Sequence, residues 1–99
     1  MKFNYQLSKL AIRDLDSIWI YTSEQWSKKQ ANTYFQQLIK TIELNCKNPE
    51  IGKSLKEVKE DHRSYLTNRH MIIYKIEKDI VYIDRILHQS MDIEDKLMD

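Results

Sequence analysis

The only proline and the only glycine of this 99-residue chain stand in one short segment, Asn48-Pro49-Glu50-Ile51-Gly52. Pro49 denies Asn48 helical geometry, and Gly52 permits a turn. Before that point the apolar residues recur mainly at helical spacing, and beyond it their pattern changes period. The segment therefore divides a helical half from a sheet half. It does not make two domains, because a chain of this length has room for one core, and 1–99 is read as a single domain.

In the first half, Phe3, Tyr5 and Leu7 alternate with Lys2, Asn4 and Gln6, the signature of a short half-buried strand. Ser8 is placed to cap a helix through its hydroxyl. From Lys9 to about Trp26, Leu10, Ala11, Leu15, Ile18, Trp19 and Thr22 recur at helical spacing and form one apolar stripe. Ile12 and Ile20 lie off that stripe and suggest a second contact surface. After Ser27-Lys28-Lys29 a second helix runs to about Cys46, with Ala31, Tyr34, Phe35, Leu38, Ile39, Ile42 and Cys46 on one face. Two helices joined by so short a break predict an antiparallel helical hairpin.

In the second half, Arg63–Thr67, His70–Glu77 and Ile80–His88 read as strands, with tight turns at Asn68-Arg69 and Lys78-Asp79. A two-residue turn at Lys78-Asp79 puts His70, Ile72, Tyr74 and Ile76 on one face with Val81, Ile83, Arg85 and Leu87. Met71, Ile73, Lys75, Tyr82, Asp84, Ile86 and His88 then share the other, and a slip of one residue reverses the second strand. Both faces carry large apolar side chains. The helical hairpin covers one, and the other needs the C-terminal segment Ile93 to Met98 or another chain.

Composition excludes several classes. The net charge of +1 gives no general case for nucleic-acid binding, and sequence-specific recognition is not expected. Its distribution is uneven: six basic residues against three acidic from Lys53 to Lys75, and five acidic against two basic from Asp84 onward. The single Cys46 cannot form an internal disulfide, no apolar run has the length of a membrane span, and Met1-Lys2-Phe3-Asn4-Tyr5 lacks the apolar core of a signal peptide. A cytoplasmic protein is the expectation. His62, His70 and His88 lack the spacing of a zinc site, no nucleophile stands on a Gly-flanked turn, and no Gly-rich phosphate loop exists, so neither metal nor cofactor is expected.

Arg63, Arg85 and His88 are the residues with chemical potential. An arginine could stabilise a phosphorane and a histidine could protonate a leaving oxygen, as in RNA cleavage. Equally, Arg85 could pair with Asp84, Asp92 or a carboxylate of the first helix, and His88 could close its strand. Trp19 reads as core, whereas Tyr21 and Trp26 flank the helix end and could anchor a partner. Met91 belongs to a set of adaptable apolar side chains suited to a forgiving interface.

Over some eighty-five residues the order of short motifs resembles the ParE-type toxins of the RelE/ParE toxin–antitoxin superfamily. The resemblance is carried by Leu7-Ser8, Ala11, Asp14-Leu15, Ile18-Trp19 and Tyr21, then Gln30-Ala31 with Tyr34, and Asn48-Pro49 with Gly52. It is strongest in Arg63-Ser64-Tyr65, His70, Ile73-Tyr74 and Arg85-Ile86-Leu87-His88-Gln89 with Met91-Asp92. It implies an α+β fold: an N-terminal strand, the helical hairpin, then a three-stranded antiparallel meander. It also implies a non-enzymatic toxin that inhibits DNA gyrase by binding, and a ParD-like antitoxin that wraps it in a hetero-oligomer. The binding surface expected on this basis comprises Tyr21, Trp26, Arg63, Arg85, His88, Met91 and Asp92. The alternative within the superfamily is a RelE-like ribosome-dependent mRNA endonuclease using Arg63, Arg85 and His88 as catalytic residues. RelE-like nucleases place an arginine where this chain has Met71, and an uncharged thioether cannot stabilise a phosphorane. Ser90 stands where the ParE family often has a basic residue. A third reading is a non-toxic member that acts only as a co-regulator with its antitoxin.

Overall fold

A computed structural model describes residues 4–91 and 96–97; the expectations for Lys2, Phe3, Asp92, Ile93 and Met98 lie outside the described residues. The first strand, β1 (Asn4–Leu7), passes directly into α1 (Lys9–Gln25), and Ser8 between them caps the helix by accepting from the Ala11 N–H at 2.9 Å. Ser27 does the same for α2 (Lys28–Asn45), accepting from Gln30 N–H at 3.0 Å, so the interhelical break is only Trp26-Ser27. A 3-10 turn over Pro49–Ile51 follows, then β2 (Lys53–Ser54), β3 (His62–Thr67), β4 (His70–Glu77) and β5 (Ile80–His88). The two long strands begin and end where the sequence pattern places them.

The sheet is larger than a three-stranded meander. It has five strands in the order β1-β5-β4-β3-β2, with β1 parallel to β5 and the other pairs antiparallel. No local signal announces a parallel pair formed by residues more than seventy positions apart, such as Asn4 with Ile80. β2 is two residues long and has no alternation to read.

α1 and α2 pack on one sheet face. Ala11, Leu15, Leu38, Ile42 and Cys46 meet Ile72, Tyr74, Val81, Ile83 and Ile86 there. Leu10, expected in the apolar stripe, is exposed, as are Ile12 and Ile20. On the opposite face Ile73, Leu87 and Leu97 form a second cluster with Leu55 and Val58, so a C-terminal residue and the loop after β2 supply the cover that face needs.

The faces of β5 differ from the expectation at its second half. The Lys78-Asp79 turn has two residues, and Ile76 and Tyr74 pair with Val81 and Ile83. Then the register shifts: Ile73 pairs with Arg85 and Ile72 with Ile86, which leaves Asp84 as an extra residue. This β-bulge inverts every later side chain. Ile86 joins the helix side and Leu87 the far side, the reverse of uninterrupted alternation.

Gly52 serves space more than turning. Its backbone is extended (φ −63°), and a methyl group added there would overlap the Tyr74 hydroxyl. That hydroxyl donates to the Pro49 carbonyl at 2.5 Å, fixing the helix-to-sheet crossing against the middle of β4.

Candidate functional site

The bulge at Asp84 lies where β1 stops and leaves the edge of β5 open, and α1 closes that gap. Ser8 donates its hydroxyl to the Asp84 carbonyl at 2.7 Å. Two turns further on, the Asp14 carboxylate accepts from Arg85 Nε at 2.9 Å, from Arg85 Nη2 at 3.0 Å and from the Ile86 N–H at 2.9 Å. Both side chains are largely buried, at 17% and 15% exposure for Arg85 and Asp14. Hydrogen bonding to Asp14, partly opposed by burial, raises the pKa of Arg85. Of the pairings open to Arg85, the one with a helix-one carboxylate is realised, and its charge is neutralised within the fold.

Arg63 is engaged elsewhere. It stands opposite Tyr74 on β3, and its Nη1 donates to the carbonyls of Glu50 and Gly52 at 3.1 and 3.0 Å. It therefore clamps the same turn that the Tyr74 hydroxyl holds at Pro49. His88 ends β5 opposite His70, with the rings edge to face at 5.3 Å. Its Nδ1 accepts from the Ser90 N–H at 3.1 Å and lies 2.7 Å from the Ser90 hydroxyl, which puts the ring proton of the neutral form on Nε2. No hydrogen bond or ion pair joins Arg63, Arg85 and His88 among the described residues. The three are set apart by the fold.

The other expected residues among the described ones, Tyr21, Trp26 and Met91, are exposed. Tyr21 is 64% exposed and Trp26 71%, at and just beyond the last turns of α1. Met91, 44% exposed, follows the turn after His88; Asp92 lies outside the described residues. Trp19, read as core, is only half-buried: its indole N–H donates to Asn32 Oδ1 at 2.9 Å, and with Asp16, Ile20, Asn32 and Phe35 it lines a groove of about 390 Å³ between the helices. Ile20, off the core stripe in the sequence, thus forms part of a second surface.

Sequence reasoning missed the cluster behind the bulge. Lys59 Nζ and His62 Nε2 lie 3.1 and 3.5 Å from Asp84 Oδ2, tying the loop before β3 and the start of β3 to β5. His62 Nδ1 is 2.8 Å from the Glu60 carbonyl. These contacts depend on the bulge, which no residue pattern in β5 announces. Among the described residues no group of three or more His, Cys, Asp or Glu could hold a metal, and no helix is long and apolar enough to cross a membrane.

The chain matches the family model described as the ParE toxin of the type II toxin–antitoxin system parDE over residues 5–93, from β1 through the end of the sheet. It belongs to the ParE toxin family. The ParE toxins it resembles in sequence include Toxin ParE1 of Caulobacter vibrioides, 34% identical over 88 residues, covering 89% of this chain and 91% of that protein. Toxin ParE1 of Mycobacterium tuberculosis is 31% identical over 98 residues, covering 98% of this chain and 100% of the relative. Two solved structures share the fold. A chain of the chromosomal ParDE system from P. aeruginosa superposes with a TM-score of 0.77 at 13% identity, covering 88% of this chain and 96% of that one. One from the toxin–antitoxin complex RelBE2 of Mycobacterium tuberculosis gives 0.70 at 16% identity, with 89% and 99% coverage. The ParE match takes in Asp14, Arg63, Arg85, His88 and Met91 together with every strand. This protein is thus the toxin component of a type II toxin–antitoxin system.

Proposed function

We propose that this ParE-family toxin acts in the cytoplasm as a non-enzymatic inhibitor that binds DNA gyrase, and that a ParD-like antitoxin silences it in a hetero-oligomer. The observation that carries the non-enzymatic reading is the commitment of both candidate catalytic arginines to the fold. Arg85 is held by Asp14 and Arg63 by two backbone carbonyls. A phosphorane would have to compete with those partners for the guanidinium groups. Met71, which stands where RelE-like nucleases have an arginine, adds no charge. Gyrase as target follows from the ParE resemblance. The antitoxin is supported by family membership and by the toxin–antitoxin systems in which the same fold has been solved.

The docking surface in this reading is built from Tyr21, Trp26 and Met91, with His88 and Asp92 beside the last of these. Large exposed aromatics supply binding energy at low conformational cost, while charged neighbours tune rate and specificity. Arg63 and Arg85 act by holding the scaffold. The domain spans 1–99 and carries its target chemistry by contact.

Induction in a bacterial host that lacks the antitoxin tests the proposal. Broken DNA with an SOS response is the expected result. Cleavage of ribosome-bound messages with intact DNA would overturn it in favour of the endonuclease. An absence of any growth effect would overturn it in favour of a non-toxic co-regulator.

A further inference from the structure

We propose that His88 is a positioning residue whose ring ties the turn after β5 and so aims Met91, a role that rests on Met91 being part of the docking surface. β5 ends at His88, and the next residue is still held to the sheet: the Gln89 N–H donates to the Arg69 carbonyl at 2.8 Å. The Met91 N–H then donates back to the His88 carbonyl at 2.9 Å, closing a four-residue turn over 88–91. Within that turn the Ser90 N–H finds its acceptor in a side chain, His88 Nδ1, at 3.1 Å. The Ser90 hydroxyl lies 2.7 Å from the same nitrogen. An Nδ1 that accepts an N–H carries no proton, so the hydroxyl donates to it as well. Ser90 is therefore tied to His88 twice, and Met91 to it once.

The ring that makes these ties is itself held. It packs edge to face on His70, its cross-strand partner at the first position of β4, with centroids 5.3 Å apart and planes at 89°. A side chain anchored on the sheet thus sets the path of the first residues beyond it. Met91, 44% exposed, is the large apolar residue at the end of that path. A contact residue already held in place loses less freedom when a partner arrives.

The reach of the acceptor is what matters to such a turn. Asparagine carries Oδ1 at the same number of bonds from Cβ as histidine carries Nδ1, and asparagine closes turns of this span by accepting from the N–H two residues on. Glutamine carries its amide one bond further out and overshoots that N–H. Positioning by His88 should therefore survive His88→Asn and fail in His88→Gln, whereas direct contact through the imidazole would be lost in both.

The test compares the purified wild-type chain, His88→Gln and His88→Asn at a temperature where all are folded. Imidazole NMR of the wild type should show His88 with its proton on Nε2. In His88→Gln the Ser90 amide should exchange roughly 3- to 10-fold faster, the share of one hydrogen bond, and the Met91 methyl should become less ordered. Binding to DNA gyrase, read by titration calorimetry, should weaken by a similar factor, and His88→Asn should recover most of all three losses. Equal loss of affinity in the two variants would overturn positioning in favour of contact. Unchanged affinity in His88→Gln despite a loosened turn would overturn it too, as would a wild-type ring with its proton on Nδ1, a readout that needs no variant to fold. A wild-type chain that does not bind gyrase refutes the target reading instead, and the tautomer, Ser90 exchange and Met91 order then decide the positioning by themselves.

Discussion

Asp14→Ala should be among the most damaging single substitutions outside the apolar core. One carboxylate takes three donors, from Arg85 Nε, Arg85 Nη2 and the Ile86 N–H, all at 2.9–3.0 Å. Truncation strands a guanidinium that is 17% exposed, together with the Ile86 N–H of the sheet edge. Breaking a buried pair from one side costs about 3–5 kcal/mol, and an orphaned donor about 1–3 kcal/mol. Residual solvent access here argues for the lower end, about 3 kcal/mol in all, a large share of the ~5–15 kcal/mol that holds a typical domain folded. Asp14→Asn keeps one acceptor oxygen and should lose about half as much. The assay is urea unfolding followed by far-ultraviolet circular dichroism, in a double-mutant cycle with Arg85→Ala. A coupling energy of about 2 kcal/mol is expected between the two sites. If Asp14→Ala stayed within about 0.5 kcal/mol of wild type, or the coupling vanished, the claim that Arg85 is spent on the scaffold would fail.

Gly52→Ala should destabilise by about 1–3 kcal/mol through overlap with the Tyr74 hydroxyl, and Tyr74→Phe in the same chain should recover part of the loss in thermal melts. Lys78 opens the β4–β5 turn at φ 57°, a conformation that costs an L-residue about 1 kcal/mol, so Lys78→Gly should raise the urea midpoint. Trp26→Ala, at an exposed site, should leave stability within about 0.5 kcal/mol of wild type while weakening capture of gyrase or antitoxin at least about tenfold, as read by titration calorimetry. Retained affinity would remove the end of α1 from the docking surface.

What was legible in the sequence depended on how local its cause was. The helices could be placed because Ser8 caps the first through a hydroxyl three residues from the N–H it serves, and because Ala11, Leu15, Leu38 and Ile42 repeat at helical spacing; the matching cap by Ser27 was not read from the sequence. The long hairpin could be placed because β-branched runs flank a two-residue turn. The β1–β5 pair, the short β2 and the bulge could not. Each is decided by a partner distant in the chain: Ile80 for Asn4, Ser64 for Lys53, and Ser8 for the Asp84 carbonyl. The candidate residues divide on the same principle. Tyr21 and Trp26 were legible as candidates for contact because they flank the end of the first helix, whereas the role of Arg85 rested on a carboxylate 71 positions away.

Asp84 shows why a single irregular residue matters to the whole surface. Its carbonyl receives the cap of α1, its carboxylate receives Lys59 from the loop before β3 and His62 from the first position of β3, and its insertion reverses the faces of Ile86, Leu87 and His88. With uninterrupted alternation Leu87 would face the helices, and the cluster it forms with Ile73 and Leu97 would lose its central member. His88 would then turn away from His70 and the α2 side. The bulge therefore fixes, at one position, which apolar residues are buried, where Asp14 must reach to close the sheet edge, and how the His88–Met91 end of the chain is presented. If the protein acts by contact, as proposed, that last arrangement has to be rigid before any partner arrives, since orientation lost in the free protein is subtracted from binding.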